Sequence, residues 1–364
     1  MQERLDVRLR EMPSWAIHQL IVKLSEIDEF RGWWRGRRLS SASTLRRAKP
    51  RVVEVSANLS TQIDGRNRAP TAVEPPARGA RTGGAERHSA GLVAGYAELL
   101  RAVFDGYREM QFGQDLILQF HARLLRYSPK DQHHRGKYRT LHDVGTSYLR
   151  RKMEPLALRS ADPDLTPRAL AAATDWAATR LVGSDFHPLL VIAGFILEFL
   201  AIRPFTDGNG RLSRVLTNLL LLQSGYTFVS YASLDKVVAD QWTEYYLALR
   251  RSQTNANLPH PDITPWLNAF LDAVRAQMQQ VRTLAEGQPD DTLLSGNQLR
   301  VLNLFERNRE VTNRFVRREL DMPKDTAKQV LNRLVALNLV RRVGAGRAVR
   351  YRRLPLQEGG GAAR

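Results

Sequence analysis

Apolar residues recur at helical spacing through most of the chain. Ile17, Leu20, Ile21, Leu24 and Ile27 fall three or four apart behind Ser14, which predicts an amphipathic helix with a serine cap. The period resumes near Leu92 and continues through Leu116, Phe120 and Leu124. Further helices are expected over 166–182, 185–202, 211–225 and 234–251, and from Thr264 to about Leu284. The run from Leu189 to Ile202 is apolar except for Glu198. It is too short to span a bilayer and reads as a buried helix. Pro, Gly and Arg crowd residues 66–90, which predicts an exposed loop, and the polar stretch 128–163 separates two helical regions. The expected organisation is an N-terminal helical segment over 1–90, a helical core over 91–285, a linker over 286–294, a C-terminal module over 295–354 and a disordered tail over 355–364.

The C-terminal module has its own pattern. Ser295 caps a first helix whose Leu299, Val301, Leu302 and Phe305 face inward. A second helix follows Val311-Thr312-Asn313 and carries Phe315, Val316 and Leu320, and Met322-Pro323 breaks it. A third, from about Lys324 to Leu337, buries Ala327, Val330, Leu331, Leu334 and Val335 and turns Lys324, Asp325, Lys328, Gln329 and Asn332 outward. Val340–Arg342 and Val349–Arg353 flank Gly344-Ala345-Gly346 and predict a two-stranded wing. This is a winged helix, with its third helix placed to enter a DNA major groove. Arg347, Arg350, Arg352 and Arg353 are its candidate phosphate contacts, with Lys324 and Lys328 on the helix. Dimerisation or protein docking is the alternative use of such a module.

Charge sharpens that reading. The chain carries a net +18, and residues 292–364 hold 16 Lys and Arg against 6 Asp and Glu, more than half of the excess. An acidic partner, nucleic acid or nucleotide, is expected. There is no cysteine, which removes disulfides and thiolate metal sites and suits a reducing cytoplasm. Glu3, Arg4, Asp6 and Arg8 come early with no apolar core after them, so neither a secretory leader nor a membrane association is expected.

The chemistry concentrates in residues 203–214, Arg-Pro-Phe-Thr-Asp-Gly-Asn-Gly-Arg-Leu-Ser-Arg. Gly208, Asn209 and Gly210 form a small-residue turn at a helix N-terminus, whose N–H groups suit phosphate. Asp207 suits a divalent cation shared with phosphates. Arg211 and Arg214 lie three apart on one helical face, where both forks reach outer phosphate oxygens. A plain turn with scattered arginines is the simpler alternative. The whole string resembles the Fic-domain signature His-Pro-Phe-x-(Asp/Glu)-Gly-Asn-Gly-Arg-x-x-Arg, with Arg203 in the place of the histidine.

The resemblance implies a mainly α fold with a small β flap, and transfer of AMP from ATP, with Mg²⁺, to a Ser, Thr or Tyr hydroxyl of a protein target. The family histidine acts as general base. Arginine stays protonated up to about pH 12 and cannot take that proton. Gly136-Lys137-Tyr138-Arg139 resembles the element that precedes the flap, expected between about Thr140 and Leu158. Tyr245 and Tyr246 resemble the adenine-pocket wall, with Gln241 where the family often has asparagine, although core packing would also account for the tyrosines. Ser60-Thr61-Gln62-Ile63-Asp64-Gly65 resembles the inhibitory (Ser/Thr)-x-x-x-Glu-(Gly/Asn) element, whose acid pairs with the second signature arginine, here Arg214. Asp64 is one methylene shorter than that glutamate.

Three functions follow: a nucleotide-binding, DNA-binding protein whose AMP transfer is weak or lost; an active transferase with a substituted base; or a DNA-binding regulator that uses the Fic core to form a homodimer. His142 and His187 are the nearest substitute bases by sequence.

Overall fold

The computed structural model describes residues 2–36, 42–66, 83–140, 144–145, 158–159, 162–183, 185–254, 262–286, 296–305, 308–336, 339–344 and 349–354. They divide into two compact units, one built from residues 1–34 and 48–281 and the other from 35–47 and 282–364.

The larger unit is helical. In chain order the helices lying wholly or mostly in it are α1 (Gln2–Arg10), α2 (Ser14–Gly36), α3 (Ala42–Arg66), α4 (Gly83–Gly106), α5 (Gln114–Leu124), α6 (Thr166–Val182), α7 (Pro188–Ile202), α8 (Asn209–Gln223), α9 (Leu234–Asp240), α10 (Trp242–Thr254) and α11 (Thr264–Glu286). At its centre α7 and α8 are buried nearly all round, and α7 packs against both α6 and α8. That explains why α7 lacks a polar face. Pro188 opens α7 with its fixed φ, and His187 caps it by accepting the Leu189 N–H at Nδ1. A Cβ at Gly91 or Gly95 would collide with the carbonyls of Tyr127 and Leu124, so these glycines set how closely α4 approaches the end of α5.

Several sequence expectations are corrected here. The stripe of α2 is rotated: Ala16, Leu20, Ile27, Phe30 and Trp34 are buried, whereas Ile17 and Ile21 are exposed. Phe30 meets Phe228 edge-on at 5.1 Å and Trp34 meets Tyr231 at 5.4 Å, and these bulky contacts set the helix rotation. The helix α4 begins at Gly83, inside the expected loop. The expected single helix over 234–251 is two, broken at Gln241. Two short antiparallel strands, β1 (Val144–Gly145) and β2 (Leu158–Arg159), lie where the flap was expected.

The smaller unit contains α12 (Gly296–Leu304), β3 (Glu310–Val311), α13 (Asn313–Leu320), α14 (Lys324–Ala336), β4 (Val340–Val343) and β5 (Arg350–Arg353). Its core gathers Val301, Phe305, Val316, Leu331, Leu334, Val340 and Tyr351. Thr312 caps α13 by accepting the Phe315 N–H, and Asp321 ends it in the left-handed conformation. The sheet has three strands in the order β3-β5-β4. The two-residue β3 carries no periodic signal, so the sequence pattern predicts only two strands.

Candidate functional site

The loop between α7 and α8 presents the site. Arg203 ends α7 at φ 49°, and its N–H reaches the Phe199 carbonyl at 3.0 Å. Among the described residues only Arg203 and Asp321 are non-glycine positions with positive φ. Arg139 holds this turn. Its Nε donates to the Arg203 carbonyl at 2.7 Å, its Nη2 to the Ile202 carbonyl at 3.3 Å, and its N–H to the Pro204 carbonyl at 3.0 Å. A buried cation thereby satisfies the carbonyls at the negative end of α7.

Phe205 follows, fully buried. Its ring stacks on His121 at 3.8 Å and lies parallel to Tyr138 at 6.2 Å. His121 Nδ1 accepts the Gly136 N–H at 2.9 Å, so Nε2 carries the proton and donates to the Asp207 carbonyl at 3.1 Å. Burial pushes the His121 pKa down to about 4; His134 and Arg211 add to the shift and the bond to Asp207 opposes it. A neutral imidazole therefore braces the loop from beneath. The spacing Ile117, Phe120, His121, Leu124 placed this histidine on the apolar face of α5, and that was its only trace in the sequence.

Gly208 caps α8 at φ 81°. A Cβ there would lie 3.1 Å from Leu124 Cδ2 and 3.7 Å from both His121 Cδ2 and Arg211 Nη2. Any side chain at 208 would thus strain the loop. The Asn209 side chain is spent on the loop: Oδ1 accepts the Phe205 N–H at 3.1 Å and Nδ2 donates to the Phe205 carbonyl at 2.6 Å. Of the Gly208–Gly210 turn, the main chain is the part suited to an anion. The Asp207 side chain, 25% exposed, takes Arg211 Nη2 on Oδ2 at 2.9 Å.

Arg214 lies deeper. Its Nε donates to Asp235 Oδ1 at 2.7 Å and its Nη2 to Ser60 Oγ at 2.7 Å. Tyr96 Oη donates to both Asp235 oxygens, at 2.9 and 2.8 Å. Ser60 reaches Arg214, whereas the acid expected to pair with it, Asp64, has its side chain outside the described residues. Asp235 was legible only as an acid in the first turn of α9.

The tyrosine pair diverges. Tyr245 packs with Ile63 and Leu234 and edge-on to Trp266 at 5.0 Å; burial raises its pKa. Tyr246 stacks on Trp242 at 5.3 Å and accepts from Arg250 Nη1 at 3.3 Å. Gln241 is exposed where α9 ends. The two tyrosines do not form one wall. Of the substitute bases, His142 lies outside the described residues, and His187 is bound to Asp28 through Nε2 at 3.0 Å. The helix α7 separates His187 from Arg203 by 15 residues, about 22 Å.

In the smaller unit Lys324, Asp325, Lys328, Gln329 and Asn332 are all exposed. Arg350 and Arg352 are exposed too, but both pair with Glu310 of β3, Arg350 at 3.2 Å. These hydrogen bonds hold the Glu310 carboxyl below its ordinary range. Arg353 is half-buried, and Arg347 lies outside the described residues.

Comparison with known proteins agrees with this geometry. Residues 111–221 match the Fic/DOC family and residues 294–348 the MarR family. A Fido domain-containing protein of Dictyostelium discoideum is 40% identical over 63 residues, 17% of this chain and 40% of that protein. The protein adenylyltransferase fic-1 of Caenorhabditis briggsae is 33% identical over 113 residues, 31% of this chain and 20% of that protein. The chain thus spans less than half of either curated relative. A Fic family protein from Desulfovibrio desulfuricans G20 shares the fold at a TM-score of 0.60 and 20% identity, over 96% of this chain and 98% of that one. Residues 134–508 of Fic-1 from C. elegans do so at 0.54 and 18%, over 74% and 73%. The α7–α8 loop on its Arg139 and His121 braces is accordingly the signature loop of a Fic domain, and the chain that carries it continues into a MarR-type winged helix.

Proposed function

We propose that this chain binds ATP with Mg²⁺ at the first turn of α8, transfers AMP weakly or not at all, and binds DNA through its winged helix. The observation that carries the reading is the loop itself: a left-handed glycine delivers the first-turn N–H groups of a buried helix beside an Arg211–Asp207 pair. Asp207 fits Mg²⁺, being a partly exposed hard oxygen donor next to the place for phosphates. A single carboxylate of this kind suits an ion shared with the nucleotide phosphates. Bound there, it would neutralise phosphate charge.

Weak transfer is inferred from Arg203, which cannot serve as base at neutral pH. His121 does not replace it, because both ring nitrogens are engaged and the ring is buried. DNA binding is supported by the exposed outward face of α14 and by the charge of the module. No helix among the described residues is long and apolar enough to cross a membrane. The lack of cysteine favours a reducing, cytoplasmic setting.

Isothermal titration with ATP tests the reading. Binding should require Mg²⁺ in the wild type and lose that requirement in Asp207→Ala. Failure of ATP to bind with Mg²⁺ present would remove the nucleotide function.

A further inference from the structure

The two signature arginines occupy different environments. Arg211, itself 1% exposed, pairs with the partly exposed carboxylate of Asp207, whose place a phosphate could take. Arg214 pairs with a carboxylate that has no exposed surface, and is itself 5% exposed. Four helices converge on that pair. Asp235 comes from α9, Tyr96 from α4 and Ser60 from α3, and Ser60 accepts from Arg214 Nη2 with both its hydroxyl and, at 3.2 Å, its carbonyl. Beside them Ser56 and Ser233 share a hydrogen bond of 2.7 Å, and Ser233 caps α9. Moving Arg214 to a phosphate would strand the Asp235 charge inside the protein, where an unpaired carboxylate is strongly disfavoured.

We infer that Asp235 determines the phosphate specificity of this site: it keeps Arg214 inside the core, so the nucleotide binds without that arginine on its terminal phosphate. The consequence, which rests on the nucleotide-binding reading above, is a site that barely distinguishes ATP from ADP.

Titrate ATP and ADP separately, with Mg²⁺, against the full chain. The wild-type affinities should agree within about threefold. Asp235→Asn, which keeps the shape and removes the charge, should raise the ATP:ADP ratio by about tenfold or more, as expected for one charge-assisted hydrogen bond. Asp64→Ala should leave the ratio unchanged. Because Asp235→Asn risks unfolding, the wild type supplies a second test. Its Arg214 Nε–H resonance, assigned by its loss in Arg214→Lys, should stay in place at saturating ATP while resonances of the α8 first turn move. The inference is overturned if wild type prefers ATP more than tenfold, if the Arg214 resonance moves with ATP but not ADP, or if Asp64→Ala alone raises the ratio. If ATP does not bind wild type at all, the nucleotide reading falls and this one with it. If ATP binds and Arg214 moves, only this one falls.

Discussion

Arg139 donates from Nε to the carbonyl oxygen of Arg203 at 2.7 Å, across 64 positions of sequence. This bond joins the segment before the flap to the turn that opens the signature loop. Arg139→Met would leave buried carbonyls at the end of α7 without their donor, at a cost of about 1–3 kcal/mol each. A stability loss of about 2–4 kcal/mol is expected in denaturant unfolding, with weakened ATP binding. Unchanged stability and affinity together would show that the loop is set by other contacts.

Arg203→His should be accepted by the backbone, because histidine is among the residues enriched at positive φ. It restores a group that can take a proton near neutral pH. If the rest of the site is competent, AMP transfer measured with α-labelled ATP should rise by about 10² to 10⁴. Adding Asp64→Ala should bring little further gain while Asp235 still holds Arg214. Rapid transfer by the unaltered protein would contradict the assignment of Arg203 as a lost base.

His121 makes stability depend on pH. Its folded pKa of about 4 lies below the ordinary 6.5, so between those values the unfolded chain binds more protons than the folded one. The folded state is then at its most favoured above about pH 6.5 and loses up to about 3 kcal/mol as pH falls toward 4. Denaturation at pH 7.5, 6 and 4.5 should show this slope in the wild type and a flatter one in His121→Phe, which keeps the ring on Phe205.

DNA binding should carry the mark of phosphate contacts. Neutralising Arg350, Arg352 and Arg353 together should weaken binding to all sequences and reduce the slope of log affinity on log salt by about 2–3. Glu310 holds two of these arginines, so Glu310→Gln should act in the opposite direction and tighten non-specific binding. Mobility shifts of the full chain across a salt series measure both. No salt-sensitive retardation by the wild type would make the module a protein-docking one.

Local signals were legible where neighbouring residues decide the outcome. Helical spacing defined α6 and α7 closely, and the outward face of α14 followed from its apolar positions. The small-residue turn at Gly208 and the helix break at Met322-Pro323 were each written in one or two residues. The string at 203–214 identified the loop, with Arg203 in the place of the family histidine.

What the sequence by itself determined was therefore the helical plan, the two kinds of domain and the position of the signature turn. The partners of those residues were decided only by tertiary structure. Ser60, Tyr96 and Asp235 come from three helices, 36, 139 and 175 positions apart; the resemblance tied the Ser60 segment to Arg214, but nothing in the local patterns of Tyr96 and Asp235 joins them to it. Likewise His121 was a polar residue on an apolar face until Phe205 closed over it, and Glu310 an ordinary acid until β5 paired with β3. Periodicity reports which face of an element turns inward. Which buried charge meets which depends on how the elements pack, because desolvation makes each such charge require its partner wherever the chain can supply one.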